Sequence, residues 1–108
     1  MARLCFEKNL SPTDAKSNLE ISKRALHLPN LKLQNEDTSM FVRDQNGCLW
    51  EFEAPEKPSS GRRTLRGEWP KFASIYGLKP TDTVRLYQTY LDTTLYLIEF
   101  EKTTLSLF

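Results

Sequence analysis

The amino-acid sequence predicts a mainly β fold of seven short strands and two short α-helices, closed or nearly closed into a barrel. Two observations carry this prediction: short strand-like runs follow one another at close spacing, and few stretches have helical signals. Closure of the sheet also removes the exposed edges that a small protein would otherwise have to protect. A chain of 108 residues is long enough for one hydrophobic core, so we expect residues 1–108 to form a single domain.

The N-terminal part of the chain is predicted to contain two strands and one short helix. The strands are expected over residues 4–7 and 18–21, with a break between them at the turn-forming residues 9–14. Ser22 can cap a short helix over residues 23–26, which ends before the next proline.

A β-hairpin in the middle of the chain is the strongest local signal. Strands over residues 39–43 and 48–53 flank residues 44–47, which end in an Asn-Gly pair between alternating apolar residues. In the second strand, Cys48, Trp50 and Phe52 share one face, whereas Glu51 and Glu53 share the other. We therefore expect the aromatic face of this strand to be buried.

The C-terminal half is predicted to contain three strands and a second helix. The strands are expected over residues 63–66, 83–90 and 95–101. Pro70 suits the first turn of a helix, and Gly77 suits its C-terminal cap. This helix presents one apolar face to the core, formed by Trp69, Phe72, Ala73 and Tyr76.

Composition and charge limit the functions that the chain can have. The chain is 39% hydrophobic and 27% charged, with a formal net charge of +1. These values are typical of a folded protein and exclude a uniformly basic nucleic-acid coat. A nucleic-acid footprint must therefore come from local clusters of basic residues. No apolar stretch approaches 18 residues and the N-terminus lacks a signal-peptide apolar region, so we expect no membrane segment.

The chain has no pattern typical of a metal centre or an active site. His27 is the only histidine, and with Cys5 and Cys48 it gives no zinc-binding spacing. No nucleophile elbow or glycine-rich phosphate loop occurs, so we expect neither enzyme activity nor a cofactor. The two cysteines could form a disulfide, but both lie in apolar runs, and we expect two buried core thiols in a reducing compartment.

A long polar loop between two tryptophans points to nucleic acid. Residues 55–63 lie between Trp50 and Trp69. The loop carries three basic residues, Lys57, Arg62 and Arg63. A long basic loop held between large aromatic residues is typical of a presented binding element. Four aromatic residues around it could stack on bases, but we expect core packing for Trp50, Phe52, Trp69 and Phe72.

Several short motifs follow one another in a definite order along the chain. They are Phe6-Glu7-Lys8, Leu10-Ser11-Pro12-Thr13-Asp14, Leu19-Glu20-Ile21-Ser22-Lys23, Leu49-Trp50-Glu51-Phe52, Trp69-Pro70-Lys71-Phe72, and Gly77-Leu78-Lys79-Pro80-Thr81-Asp82-Thr83-Val84. Their order and spacing resemble the plant-specific B-three DNA-binding domain, the third basic region of several plant transcription factors, over about residues 4–101. The resemblance implies a seven-stranded open pseudobarrel with two short α-helices.

The resemblance also implies a function and a set of contact residues. Members of this family grip the major groove of double-stranded DNA with two arms, which correspond here to residues 11–18 and 53–63. The first arm offers Thr13, Lys16, Ser17 and Asn18. The second arm offers Lys57, Ser59, Ser60, Arg62 and Arg63. Lysine and arginine suit phosphates and guanine, and hydroxyl and amide side chains add neutral hydrogen bonds.

Three of these residues fall where members of the family read bases, namely Asn18, Lys57 and Arg62. The resemblance therefore implies sequence-specific binding by a plant transcription regulator in the nucleus. Its expected partners are double-stranded DNA, through the major groove and the phosphates, and other transcription regulators.

Acidic residues depart from the family pattern just after the Trp-x-Phe strand. The family usually has basic or aromatic residues there, whereas this chain has Glu51, Glu53 and Glu56. Carboxylates repel the phosphate backbone, although glutamate can accept a hydrogen bond from the cytosine amino group. The acidic residues leave open a divergent domain of the same fold that acts mainly as a protein-interaction module with weak or non-specific DNA binding. A second alternative is the DNA-recognition domain of a restriction endonuclease, which has a similar pseudobarrel.

Overall fold

The computed structural model describes residues 2–21, 39–54, 63–89 and 95–103, with only the backbone of Arg63. Within these ranges the chain forms seven β-strands and two short α-helices. In chain order they are β1 Ala2–Asn9, α1 Pro12–Lys16, β2 Leu19–Ile21, β3 Ser39–Asp44, β4 Leu49–Glu53, β5 Arg63–Gly67, α2 Trp69–Ile75, β6 Thr83–Thr89 and β7 Leu95–Glu101.

The seven strands form one sheet in the order β1-β6-β7-β3-β4-β5-β2. Neighbouring strands are antiparallel, except that β3 and β7 are parallel. The sheet curls into a nearly closed pseudobarrel, with the apolar side chains of successive strands pointing inward. This architecture confirms the predicted fold class of a mainly β, seven-stranded pseudobarrel with two short helices.

The first helix lies where the sequence predicted a turn. Residues 9–14 contain turn-forming residue types, but α1 begins at Pro12 and runs to Lys16. Ser11 Oγ accepts a hydrogen bond from the backbone N–H of Asp14, and the Asp14 carboxylate accepts one from the N–H of Ser11. This reciprocal capping box starts a helix, so the expected turn was wrong. The helix predicted over residues 23–26 lies outside the described residues.

The predicted hairpin between β3 and β4 is confirmed, with one correction. Gly47 has a φ of 86°, which an Asn-Gly turn requires of its glycine. The strand β4 begins at Leu49, because the N–H of Cys48 donates to the Asp44 carboxylate in the turn. Cys48 is consequently exposed, and the expectation that it is a core thiol was wrong. Cys5 is buried as expected, and burial raises the pKa of its thiol to about 11.

The hydrophobic core lies between the inner face of the sheet and α2. All four aromatic residues expected to pack there are buried, namely Trp50, Phe52, Trp69 and Phe72. The ring centroid of Phe72 lies 5.4 Å from that of Trp50, 5.8 Å from that of Phe52 and 5.5 Å from that of Trp69. These edge-on and tilted contacts confirm that the tryptophans support the fold.

A glycine joins β5 to α2 at a close approach between backbones. Gly67 has a φ of 73°, and a Cβ at this position would lie 3.2 Å from both the Glu51 carbonyl oxygen and the Glu53 nitrogen. Only glycine meets both conditions without displacing β4. No helix in the described ranges is long and apolar enough to cross a membrane.

Candidate nucleic-acid interface

The first arm, residues 11–18, is built on α1 and the turn that follows it. The N–H of Ser17 donates to the carbonyl oxygen of Thr13 and closes the helix. Thr13, Lys16 and Ser17 are exposed, and Asn18 is half-buried. All four predicted contact residues of this arm therefore lie on one short segment, with at least three side chains open to solvent.

A buried carboxylate fixes this segment to the barrel. Asp14 is only 2% exposed. Its Oδ2 accepts from the N–H of Ser11 at 2.9 Å and lies 3.0 Å from Nζ of Lys8. Its Oδ1 accepts from the N–H of Glu20 at 3.2 Å. We call Lys8, Ser11, Asp14 and Glu20 the arm clamp, since together they tie the helix to β1 and to β2.

The electrostatics of the arm clamp keep Asp14 ionised. Burial alone would raise the pKa of its carboxyl, but the hydrogen bonds from Ser11, Lys8 and Glu20 and the positive charge of Lys8 outweigh it. The net result is a pKa below the ordinary value of an aspartate. Lys8 also donates to the carbonyl oxygen of Glu20, so the cation contacts both the helix and the strand.

The core tryptophan of α2 also holds this helix. Nε1 of Trp69 donates to the carbonyl oxygen of Asp14 at 3.0 Å. Trp69 lies two residues after β5, the strand at which the second arm ends. One buried hydrogen bond therefore links the first arm to the helix that follows β5.

Only the ends of the second arm, residues 53–63, lie within the described residues. Four of its predicted contact residues lie outside them, namely Lys57, Ser59, Ser60 and Arg62. The arm leaves the sheet after Glu53 and returns at Arg63, whose backbone pairs with Ile21 of β2. Since β5 lies between β4 and β2, the two ends of the second arm and the C-terminal end of the first arm lie on three adjacent strands.

The acidic residues at the base of the second arm are partly neutralised. Nε of Arg66 lies 3.4 Å from Oε1 of Glu53, with both side chains about half exposed. The N–H of Glu51 donates to the carboxylate of Glu68. Glu56 lies outside the described residues. The repulsion that the sequence predicts at this base is therefore reduced at Glu53.

The structure adds three residues to which the sequence analysis gave no role in the interface. Lys8 and Asp14 hold the first arm, and Arg66 pairs with a carboxylate beside the second. A signal for the role of Asp14 exists in the sequence, because Ser11 and Asp14 have the spacing of a capping box. Nothing local in the sequence predicts the contact between Lys8 and Asp14, which depends on the path of β1 past the helix.

Comparison with known proteins finds similar proteins in Arabidopsis. No family model matches the chain. The B3 domain-containing protein REM15 of Arabidopsis thaliana is 28% identical over 78 residues, which are 72% of this chain and 14% of that protein. The chain thus spans about one seventh of the length of this relative.

Solved structures show the same likeness in three dimensions. Arabidopsis FUS3 in complex with DNA matches with a TM-score of 0.78 and 28% identity, over 94% of this chain and 100% of that chain. The Arabidopsis thaliana transcription factor LEC2, also in a DNA complex, matches with a TM-score of 0.72 and 19% identity, over 96% and 97% of the two chains. A hypothetical protein of the same plant, at 14% identity, matches with a TM-score of 0.65 over 94% of this chain and 92% of that chain.

The last two structures share the fold alone, whereas FUS3 and REM15 also share more than a quarter of the aligned residues. The pseudobarrel, the order of the motifs and these likenesses agree with one another, and the chain is similar to B3 domain-containing proteins.

Proposed function

We propose that the chain binds double-stranded DNA in a sequence-specific manner, as the DNA-binding domain of a plant transcription regulator that acts in the nucleus. The observation that best supports this proposal is the likeness to FUS3, whose structure is a complex with DNA. It extends over nearly the whole of both chains at 28% identity, which exceeds a likeness of fold alone. We further propose that residues 1–108 act as one domain with its core at about residues 4–101.

In this proposal the two arms grip the major groove. The first arm contributes Thr13, Lys16, Ser17 and Asn18. The second contributes Lys57, Ser59, Ser60, Arg62 and Arg63. Lysines and arginines neutralise phosphates or donate to guanine, while the hydroxyl and amide groups donate to phosphates or exchange hydrogen bonds with base edges. Basic and neutral side chains therefore both serve to position the protein on the phosphates and to read bases.

The capping of α1 decides which part of the first arm is free for DNA. The side chains of Ser11 and Asp14 occupy backbone N–H groups at the start of the helix. Contacts from this arm therefore come from its exposed side chains, chiefly Lys16 and Ser17 at the end of the helix. The arm clamp holds these groups before DNA arrives, so less ordering entropy is lost on binding.

Selection from a random duplex library tests the proposal directly. The immobilised chain should enrich one sequence motif, and titration should show tighter binding to the selected duplex than to a scrambled one. Recovery without any common motif, or equal binding to the scrambled duplex, would contradict sequence-specific binding and favour a protein-interaction module.

Replacement of Arg62 by alanine tests the second arm. If Arg62 reads a base, binding to the selected duplex should weaken by about 1–3 kcal/mol while the thermal melt stays within a few degrees of wild type. The matched control is Arg43→Ala, an exposed arginine on β3, a strand that carries neither arm. An unchanged affinity for Arg62→Ala would remove this residue from the interface without affecting the selection result.

A further inference from the structure

The outer face of the sheet carries a continuous line of large side chains. Strand pairing places Leu4 opposite Tyr87, Tyr87 opposite Leu97, Leu97 opposite Arg43, and Arg43 opposite Leu49. These five residues cross β1, β6, β7, β3 and β4 in one row. We call them the outer row.

The outer row exposes apolar surface on a face where solvated strands normally carry polar residues. Leu4 is 45% exposed and Leu49 is 53% exposed. Phe41, which is 50% exposed, lies beside the row and is paired with Leu95 of β7. Leu4 and Leu49 lie at the two ends of the row, with the half-buried Tyr87 and Leu97 and the charged Arg43 between them. Scattered exposed leucines are ordinary, but exposed apolar side chains aligned across neighbouring strands suit an interaction site.

An open cleft of about 300 Å³ lies on this face. Its lining includes Ala2, Arg43, Tyr87, Leu97 and Glu99, so it overlaps the middle of the outer row. Its volume is at the lower limit of small-molecule sites, and its described lining is mostly apolar. The cleft therefore suits a single large side chain as an anchor.

The charges around the outer row are mainly negative. On these five strands, the outward positions carry five carboxylates, at Glu7, Glu51, Glu53, Glu99 and Glu101. The same positions carry two guanidinium groups, at Arg43 and Arg85, and Arg66 of the neighbouring β5 pairs with Glu53 at 3.4 Å. Carboxylates still outnumber guanidinium groups on this face.

Arg43 and Arg85 are already engaged within the protein. Arg85 contacts Glu7 at 2.6 Å, Glu101 at 3.0 Å and Glu99 at 3.6 Å. Arg43 donates to the carbonyl oxygen of Gly47 at 3.1 Å. Burial raises the pKa of the Tyr87 hydroxyl, and its hydrogen bond to Glu99 raises that pKa further. A face of this charge repels phosphate and attracts cations.

We propose that the outer row is a docking surface for a second protein, which binds through a segment with one large apolar side chain flanked by lysine or arginine. The apolar side chain enters the cleft, and the flanking cations meet the surrounding glutamates. A second copy of this chain fits the surface less well, because a twofold contact would bring two acidic rims together. The proposal goes beyond DNA binding and uses residues outside both arms, apart from Glu53 at the base of the second.

Selection from a random peptide library displayed on phage tests this surface. The immobilised chain should enrich peptides in which an aromatic or large aliphatic residue is flanked by lysine or arginine. Leu49→Ser and Glu99→Lys should each weaken binding of a synthetic enriched peptide about tenfold, through lost apolar contact and reversed charge. The matched control is Ile75→Ser on α2, whose side chain is 58% exposed but lies off the sheet, and its affinity should be unchanged.

Three outcomes would overturn the proposal. They are failure to enrich any peptide over an uncoated surface, equal peptide affinity for Leu49→Ser and wild type, and self-association of the chain that Leu49→Ser abolishes. The third outcome would make a second copy the occupant. Because Leu49 is exposed, the variant should fold, and an unchanged thermal melt and duplex affinity would separate this result from any failure of DNA binding.

Discussion

Two buried aspartates fix two different turns of this domain, and their partners differ in kind. Asp44, which is 5% exposed, accepts hydrogen bonds from the N–H groups of Asn46 and Cys48, from Nε1 of Trp50 and from the hydroxyl of Tyr76. Asp14, at 2% exposed, accepts from backbone N–H groups on either side and pairs with a lysine. Asp44 is satisfied by neutral donors of the hairpin turn and of the aromatic cluster, and Asp14 by backbone N–H groups and a cation at the edge of an arm.

The difference separates support of the fold from support of the site. The partners of Asp44 belong to the β3–β4 hairpin and to the aromatic cluster, so its loss should affect the whole core. The partners of Asp14 belong to the ends of β1 and β2 and to α1, so its loss should mainly release the first arm. Removing the acceptor of neutral buried donors lowers the free energy of unfolding more than removing the partner of a partly exposed lysine, because the lysine can bind water instead.

The largest effect is expected at the residue that contacts both regions. The ring of Trp69 packs on Phe72 and Phe52, and its N–H donates to the backbone of Asp14. Replacement of a buried tryptophan by alanine typically costs about 3–5 kcal/mol, a large part of the stability of a small domain. Chemical denaturation of Trp69→Ala should therefore show an unfolded or nearly unfolded chain. A variant that melts like wild type but no longer binds DNA would make Trp69 a contact residue.

Asp44→Ala should come next, with an effect on stability alone. Without the carboxylate, the N–H of Trp50, the hydroxyl of Tyr76 and two turn amides lose their acceptor. We expect a loss of about 3 kcal/mol in the free energy of unfolding, measured by urea denaturation. The folded fraction should bind the selected duplex with unchanged affinity. Weaker binding by the folded variant would show that the hairpin and the arms are coupled. Asp44 would then support the interface as well as the fold.

Asp14→Asn should give the opposite pattern. The amide keeps the shape of the side chain but removes the charge that pairs with Lys8, so we expect about 1–2 kcal/mol of lost stability. Duplex affinity should fall about tenfold, because the first arm must then be ordered during binding. Lys8→Met removes the same ion pair from the other side and should weaken binding in the same direction. Wild-type affinity in both variants would limit the arm clamp to a structural role.

The same two aspartates show how far the sequence could predict this protein. Alternation and an Asn-Gly turn predicted the β3–β4 hairpin, and Pro70 with Gly77 predicted α2, because these signals act within a few residues. The first helix was missed because Ser11, Pro12 and Asp14 are turn formers that also cap and start helices. The burial of Cys48 was predicted wrongly because its N–H donates to the Asp44 side chain in the turn. The alternation of buried and exposed residues in β4 therefore begins only after Cys48.

The contact residues were predicted from family resemblance and from basic clustering, and their contact with DNA stays a prediction. The first-arm residues lie together on one short segment, where Thr13, Lys16 and Ser17 are exposed and Asn18 is half-buried, while the predicted contact side chains of the second arm lie outside the described residues. The contact between Lys8 and Asp14 could not be predicted, since it depends on how the chain turns between the end of β1 and α1.

The smallest effect we predict is a difference in acid sensitivity between the two aspartates. In both, burial raises the pKa, but hydrogen bonds outweigh it and hold the pKa below the ordinary value, which is about 3.9 in an unfolded chain. A depressed folded-state pKa means that the stabilisation is complete above about pH 4 and is lost as pH falls through the folded-state value. The melting temperature, measured from pH 7 down to pH 2, should therefore fall less steeply for Asp14→Asn and Asp44→Asn than for wild type. The duplex affinity of the folded protein should become less dependent on acid pH only in Asp14→Asn. If Asp44→Asn flattened it equally, both carboxylates would support the interface and the division between fold and site would be wrong.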